Sequence, residues 1–386
     1  MIQPNSNHTA TTSRRLTAGA AALAFLMSGT AASAAFDIFI LRKGDGVEVT
    51  GNSMPHHIDH FSGSGAAVNL QNTWSAPSTD PNTRITMANF ETYSQLTISP
   101  NGRFLSFTGR SSEVGASQGG DHVIGVFDLQ TQTFDTSTRI APAAIPHQSG
   151  GRGFRGAVTT NGTDLWFTGR NPGVYHATLG ADSVTDVGRS FEFNMIGIHD
   201  DELYISRRAG GTHGIWRYDG LPTQGGEVEA VRFHTPGTGW DNNNGQYGTF
   251  SFIGDYLFVT TTHWDTADHI AVFKNDGPDV WVWMDGANQA VFDGITGMPH
   301  VTALDAGDHA QLFYTTHGGA ENNSLYSVTF DYATETFGSA IHLADAGTGY
   351  TFSGIAVIPE PSTYALLFGL GVLGAALVIR RRRAKA

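Results

Sequence analysis

The stretch Gln95-Leu-Thr-Ile-Ser-Pro-Asn-Gly-Arg-Phe-Leu-Ser-Phe107 contains two short strand-like runs separated by a Ser-Pro-Asn-Gly turn. Both runs alternate apolar and polar residues and favour aromatic and β-branched side chains, which is typical of strands. Proline, asparagine and glycine are the residues that tight turns prefer. A third run follows at His122-Val-Ile-Gly-Val-Phe-Asp128. The stretch therefore predicts an antiparallel sheet of three or more strands.

The same unit recurs along the chain. Its turns centre on Gly102, Gly162, Asp200, Gly254 and Gly307, so consecutive copies are 60, 38, 54 and 53 residues apart. These spacings are typical of four-stranded blades with variable loops. One blade cannot bury both of its faces alone, whereas a ring of blades can. The repeat therefore predicts an all-β body with the fold of a β-propeller.

Two incomplete units flank the repeat. Residues 36–46 have the pattern of a second blade strand without a first, and residues 350–357 that of a first strand without a second. We predict that the two segments pair and close the ring. The count is then six blades, or seven if residues 281–294 form a degenerate blade. The alternatives are an array of β-sandwiches or a β-solenoid.

The N-terminus has the three parts of a secretory signal peptide. Residues 14–15 are arginines, residues 16–27 are apolar, and small residues follow up to Ala32-Ser33-Ala34. Small side chains at Ala32 and Ala34 fit the pockets of signal peptidase. The pattern predicts cleavage before Ala35, and the alternative is a buried N-terminal helix.

The C-terminus combines three features in a fixed order. Pro359, Glu360 and Pro361 precede the uncharged residues 364–379, and a basic tail comes next at 380–385. Sixteen helical residues rise about 24 Å, so flanking side chains must help to span a hydrocarbon core of about 30 Å. Basic residues stay on the cytoplasmic side of a membrane. The predicted stop-transfer residues are Arg380, Arg381, Arg382 and Arg383.

This order of features resembles the PEP-CTERM sorting signal. The resemblance implies recognition by an exosortase, a membrane-embedded transpeptidase-like enzyme of Gram-negative bacteria that make exopolysaccharide. The chain then divides into a signal peptide at 1–34, a propeller at 35–358 and a sorting signal at 359–386. An ordinary C-terminal anchor with a chance Pro-Glu-Pro is the alternative. Both interpretations give an exported precursor that is tethered to the inner membrane, and the processed protein is expected at the cell surface or beyond it.

Composition excludes several classes of protein. The chain has no cysteine, which removes disulfide scaffolds, thiol nucleophiles and Cys-ligated zinc. Residues 35–358 hold 15 Lys and Arg against 34 Asp and Glu, a net charge of −19. So acidic a body repels phosphate backbones and anionic lipids, and we expect no nucleic-acid partner.

Two histidine clusters raise the question of a metal site, His56-His57-Ile-Asp-His60 and His263-Trp-Asp-Thr-Ala-Asp-His269. On a strand, His57 and Asp59 share one face while His56 and His60 share the other. Zinc needs three or four converging ligands. We expect solvated loop or blade-edge histidines and no metal at either cluster.

Two Asn-rich segments resemble calcium loops, Asp241-Asn-Asn-Asn-Gly245 and Glu321-Asn-Asn323, but neither keeps the ligand spacing of an EF-hand. Ordinary turns are expected there, and calcium in the loops between blades stays open. The acidic run Asp200-Asp201-Glu202 is expected in a solvated turn. Gly115-Ala-Ser-Gln-Gly119 has the Gly-x-Ser-x-Gly spacing, but residues 115–120 are expected to form a flexible loop rather than the strand-to-helix turn of a nucleophile elbow. The sequence lacks a His-Glu-x-x-His motif.

We therefore expect no catalytic residue and no cofactor. The leading hypothesis is a structural or binding protein of the cell envelope or extracellular matrix. Its partners would be the exosortase, transiently, and exopolysaccharide or other envelope components. The alternative is a polysaccharide-acting lyase or hydrolase with an active site in the propeller funnel, where loops converge.

The predicted signal peptide gives a direct test. Because the A-x-A pattern ends at Ala34, exported protein should begin at Ala35. N-terminal sequencing of the secreted or periplasmic fraction measures this start. An exported chain that still begins at Met1 would contradict the signal-peptide interpretation.

Overall fold

The computed structural model describes residues 35–49, 51–64, 67–88, 95–146, 153–169, 173–188, 193–207, 214–224, 231–232, 246–263, 266–277, 280–284, 300–316 and 321–359. Throughout these ranges the regular elements are β-strands, apart from one 3-10 turn at Pro142–Ala144. The predicted signal peptide at 1–34 and the tail at 360–386 lie outside the described residues. The all-β prediction is confirmed for the body.

The first two sheets are joined at their edges. Sheet 1 contains β26 (Tyr350–Pro359), β1 (Ala35–Gly44), β2 (Ser53–Ser64) and β3 (Ala67–Ser75). Sheet 2 contains β5 (Thr97–Ile98), β6 (Phe104–Arg110), β7 (His122–Asp128) and β8 (Thr133–Ile140). A short strand pairs with β2 and with β6, which links the two sheets: β4 (Thr86–Ala88).

The next two sheets follow the chain in simple antiparallel order. Sheet 3 contains β9 (Phe154–Thr159), β10 (Asp164–Gly169), β11 (Val174–Thr178) and β12 (Thr185–Asp186). Sheet 4 contains β13 (Phe193–His199), β14 (Glu202–Arg207), β15 (Gly214–Tyr218) and β16 (Val231–Arg232).

The last two sheets keep the same order. Sheet 5 contains β17 (Gln246–Ile253), β18 (Tyr256–His263), β19 (Thr266–Gly277) and β20 (Val280–Trp283). Sheet 6 contains β21 (Val301–Asp305), β22 (His309–Thr315), β23 (Ser324–Asp331) and β24 (Thr336–Phe337), with β25 (Ile341–Asp345) also paired to β23. Trp281 therefore belongs to the fourth strand of sheet 5, and the described residues give six sheets.

The first strands of the sheets contact one another in the cyclic order β5, β9, β13, β17, β21, β26 and back to β5. Within the described parts of the chain, six hydrophobic clusters lie between consecutive sheets, including sheets 6 and 1. Phe36 of sheet 1, for example, packs on Phe313 of sheet 6 with ring centroids 4.6 Å apart. The arrangement is propeller-like, because each sheet face is covered by its neighbour.

Polar side chains also connect the first strands. The Gln95 Oε1 atom accepts a hydrogen bond from the Ile196 amide of sheet 4, 3.1 Å away. A Cβ atom on Gly156 would lie 2.4 Å from this oxygen, so a larger residue there would have to displace the end of the Gln95 side chain. The Thr97 hydroxyl donates to the Ala157 carbonyl at 2.6 Å. The first bond connects sheet 2 to sheet 4 and the second connects sheet 2 to sheet 3, so both link inner strands of different sheets.

The predicted pairing of the two end segments of the body is present in the structure. Strand β1 pairs with β26 from Phe36 opposite Pro359 to Gly44 opposite Tyr350. The Ser353 hydroxyl donates to the Leu41 carbonyl at 2.9 Å within this pair. Sheet 1 is thus assembled from the first and last strands of the body.

Truncation within this closing pair should destabilise the body strongly. Ile38 is fully buried between Phe61 and Val357 on the neighbouring strands, so Ile38→Ala should lower the free energy of unfolding by about 2–5 kcal/mol. The matched control is Ile341→Ala on β25, where the side chain is 38% exposed and a loss under about 1 kcal/mol is expected. Urea unfolding measures both, and equal losses would contradict the central role of the closing pair.

Candidate functional site

The end of β26 is where the folded body meets the predicted sorting segment. Pro359 is the last residue of β26 and lies opposite Phe36, while Ile358 lies opposite Asp37. Proline has no amide hydrogen, so it suits the end of a ladder. Of the predicted sorting residues, Pro359 is therefore held in sheet 1, and Glu360 and Pro361 lie outside the described residues.

The neighbourhood of Pro359 is packed. Phe36 is 1% exposed and Val357 is 8% exposed, and both belong to the cluster between sheets 1 and 6. Ile358 is half-buried and packs against the cluster between sheets 1 and 2. The folded core therefore extends to the residue before Pro359.

The predicted signal-peptidase site lies beside the same strand end. Ala35 is the first residue of β1 and lies opposite Ser64 on β2, one position from the pair of Phe36 and Pro359. Ala32 and Ala34 are outside the described residues. Both ends of the body thus leave sheet 1 at the same end of two adjacent strands.

The predicted membrane segment and its basic tail are not among the described residues. The segment is 364–379, and the tail includes Arg380, Arg381, Arg382 and Arg383. Within the ranges that the structure does describe, we find no helix with the length and apolar character needed to cross a membrane.

A protein-family match covers the end of β26 and most of the C-terminal tail. Residues 357–383 are a PEP-CTERM protein-sorting motif. The resemblance inferred from Pro359, Glu360 and Pro361 is thereby confirmed. The motif marks an exported protein that is anchored at its C-terminus before an exosortase processes it. Its first three residues, 357–359, belong to β26.

Solved structures with a similar arrangement share little sequence with this chain. TolB from Acinetobacter baumannii matches with 11% identity over 83% of this chain and 67% of its own, at a TM-score of 0.42. A putative 6-phosphogluconolactonase from Bacteroides uniformis matches with 11% identity over 84% of this chain and 99% of its own, at a TM-score of 0.45. AztD from Citrobacter koseri matches with 10% identity over 84% of this chain and 98% of its own, at a TM-score of 0.38. No curated protein sequence matches the chain. At these identities and TM-scores, the roles of the matched proteins are no guide to this one.

The axis of the body holds a cavity of about 170 Å³ that is lined by the first strands of all six sheets. Apolar side chains alternate there with neutral polar ones such as Gln95, Thr97, Thr249 and Thr302. His199 is the one ionisable group among the described lining residues. Burial lowers the pKa of His199, against the opposing influence of Asp200 and Glu202. The described lining therefore offers hydrogen bonds and apolar surface rather than a pair of carboxylates.

The first histidine cluster is split between two faces of β2, as its alternation predicts. The His57 ring contacts the Ser75 hydroxyl and the Gly44 carbonyl, each at 3.0 Å. His60 lies 2.7 Å from an Asp37 carboxylate oxygen and stacks on Phe39. The three histidines thus have separate environments. The described residues contain no group of three or more His, Cys, Asp or Glu placed to hold a metal, and the side chains of His263 and His269 lie outside them.

Of the two Asn-rich segments, one lies within the described residues and the other does not. The Asn323 side chain bonds both the amide and the carbonyl of Phe352, at 2.7 and 2.8 Å, and Glu321 accepts a bond from the Gly349 amide at 2.7 Å. These contacts tie β23 to β26. The segment 241–245 lies outside the described residues. Asp200 and Asp201 form the turn between β13 and β14 with φ of 49° and 59°.

His56 was expected in a solvated position, and this was wrong. His56 is fully buried opposite Lys43, and the same pairing recurs in sheet 2, where buried His122 lies opposite Arg110. The signal in the sequence was the basic residue that ends the second strand of a unit, as in Thr108-Gly-Arg110. Alternation alone did not show that the facing histidine is covered by the next sheet.

Both buried histidines are held neutral. Burial is the main cause, and the nearby cation adds to it: the pKa of His56 beside Lys43 falls to about 3, and that of His122 beside Arg110 falls to about 2. The His56 ring packs on Phe107 and the His122 ring on Phe154. Protonation of either ring would place a second positive charge in a buried site.

These shifts predict a loss of stability in mild acid. Below the unfolded pKa of about 6.5, the unfolded chain binds two protons that the folded body excludes until about pH 3. Above pH 6.5, neutral His56 and His122 do not reduce the free energy of unfolding. Below pH 6.5, each ring lowers the free energy of unfolding by about 1.4 kcal/mol per pH unit. Urea unfolding between pH 7 and pH 5 should show this decline.

Between pH 7 and pH 5, the double variant His56→Gln with His122→Gln should lose about 4 kcal/mol less free energy of unfolding than the parent. His342→Gln is the control, because His342 is half exposed on β25 and should leave the slope unchanged. An unaltered slope in the double variant would mean that other groups cause the acid sensitivity.

Proposed function

We propose that the protein is a structural or binding component of the cell envelope or extracellular matrix, exported and then processed by an exosortase through residues 359–361. One observation carries this proposal: the sorting motif at 357–383 begins within β26, the strand that joins the two ends of the body. The motif is therefore attached directly to a folded domain.

The body is a closed six-bladed β-propeller in this proposal. Three features of the described residues support it: six sheets of four or five strands, cyclic contact between first strands, and a hydrophobic cluster between each neighbouring pair. Sheet 1, built from both ends of the body, is the blade that closes the ring.

The proposed membrane topology uses both ends. A signal peptide at 1–34 is removed before Ala35, residues 364–379 span the membrane, and Arg380 to Arg383 stay in the cytoplasm. The support is geometric, because Ala35 and Pro359 leave the body at the same end of adjacent strands. Two segments that start side by side can enter the same bilayer without crossing the body.

The molecular role that we propose is non-enzymatic binding, with exopolysaccharide or another envelope component as partner. A lyase or hydrolase needs two or more ionisable groups near one substrate atom. Among the described residues that line the axial cavity, only His199 is ionisable. The neutral hydroxyl and amide groups of that lining suit hydrogen bonding instead.

The proposal is tested by Glu360→Ala. The substitution leaves the apolar segment and the arginines intact, so insertion should be normal while release is blocked. In a host that has an exosortase, immunoblots of fractionated cells should show uncleaved precursor in the inner membrane. The matched control is Glu113→Ala at a side chain that is 77% exposed on the body, which should be processed like the parent. Normal release of the Glu360→Ala protein would show that the Pro-Glu-Pro segment is only a spacer.

A further inference from the structure

We propose that the folded body restricts the processing of its own tail, so that the Pro-Glu-Pro segment becomes a substrate only while the end of β26 is separated from β1. This inference rests on the proposed exosortase processing. It concerns when the reaction takes place, and it assigns to β1 the role of competing for the backbone that the enzyme must bind.

The competition arises from main-chain hydrogen bonds. An enzyme that binds an extended segment uses the backbone of several residues on either side of its target. On the N-terminal side of Glu360, those residues are Val357, Ile358 and Pro359, and all three are paired with β1. The first strands of the two neighbouring sheets, β21 and β5, lie close to β26. The β1 edge of residues 357–359 is therefore not open to a second chain while sheet 1 is complete.

Side-chain packing keeps the strand end in place. Val357 lies opposite Ile38, and the Phe36 ring opposite Pro359 packs on Phe313 of sheet 6. Separation of the last three pairs would expose these apolar surfaces. Ends of strands nevertheless open locally at much lower cost than the whole domain. A small open population therefore exists without unfolding of the body.

Chain length limits how far the motif can extend away from the body. Only residues 360–363 separate Pro359 from the apolar segment at 364–379. Four extended residues reach at most about 14 Å. On the proposed topology, an enzyme that binds Glu360 while the ladder is intact has only this gap between the folded body and the bilayer.

Insertion of Gly-Ser-Gly-Ser between Ile358 and Pro359 tests the inference. The insert adds up to about 14 Å and detaches the motif from β1. If the competent state is populated about one-tenth of the time in the parent, pulse-chase labelling should show release about tenfold faster. The control carries the same insert in the turn at Gly254 and Asp255, at the end of the body from which the tail leaves, and should be released at the parent rate.

A cross-link tests the opposite change. Asp37 and Ile358 lie directly opposite each other, and the chain has no cysteine, so Asp37→Cys with Ile358→Cys can form one defined disulfide. Oxidised protein should be released at least about tenfold more slowly than the parent, and dithiothreitol should restore the rate. Asp37→Cys alone is the control and should match the parent.

The two proposals fail in different ways. Release of Glu360→Ala protein at the parent rate would remove the exosortase proposal itself. Blocked release of Glu360→Ala protein, together with unchanged rates for the inserted and the cross-linked chains, would overturn the control by β1 and leave exosortase processing standing.

Discussion

The pairing of β1 with β26 is the constraint on which the rest of the body depends. Each sheet has two apolar faces, and each is covered by the sheet beside it. Without sheet 1, the clusters shared with sheets 2 and 6 would lose one wall each, including the sites of Leu105 and Phe313. The order of the other sheets is local in sequence, whereas this pair joins residues 312 positions apart.

A ring of sheets leaves each outermost strand with a free edge, and sheet 1 shows how such an edge is protected. Strand β3 has nine largely exposed residues without a charge. A bulge opposite His60 and Phe61 leaves Gln71 unpaired on β3. The Gln71 side-chain amide then donates to the Asn69 backbone carbonyl, and the Asn72 side-chain oxygen accepts from the Thr73 backbone amide. The strand thus occupies two of its own backbone groups, which makes edge-to-edge pairing between molecules less favourable.

Much of this fold could be predicted from the sequence because its information is local. Alternation and Gly or Asp turns mark β5 with β6 and β13 with β14, and the unmatched segments at both ends predict their own pairing. The short strands β4 and β25 escaped prediction, since they pair along edges that are set by other strands. The burial of His56 and His122 escaped for a related reason. His56 contacts Phe107 and His122 contacts Phe154, each on the next sheet, and period-two alternation does not show which residues a neighbouring sheet covers.

The position of the closing strand also sets the order of events during export. A chain that crosses a membrane from its N-terminus delivers β1 first and β26 last of the body strands, so sheet 1 stays incomplete until translocation of the body ends. Closing a loop of 312 residues costs about 3 kcal/mol more chain entropy than closing a hairpin of about ten. Contacts of such long range also form slowly. A chain exported in this order can complete sheet 1, and with it the clusters that contain Leu105 and Phe313, only once its last body strand has crossed the membrane.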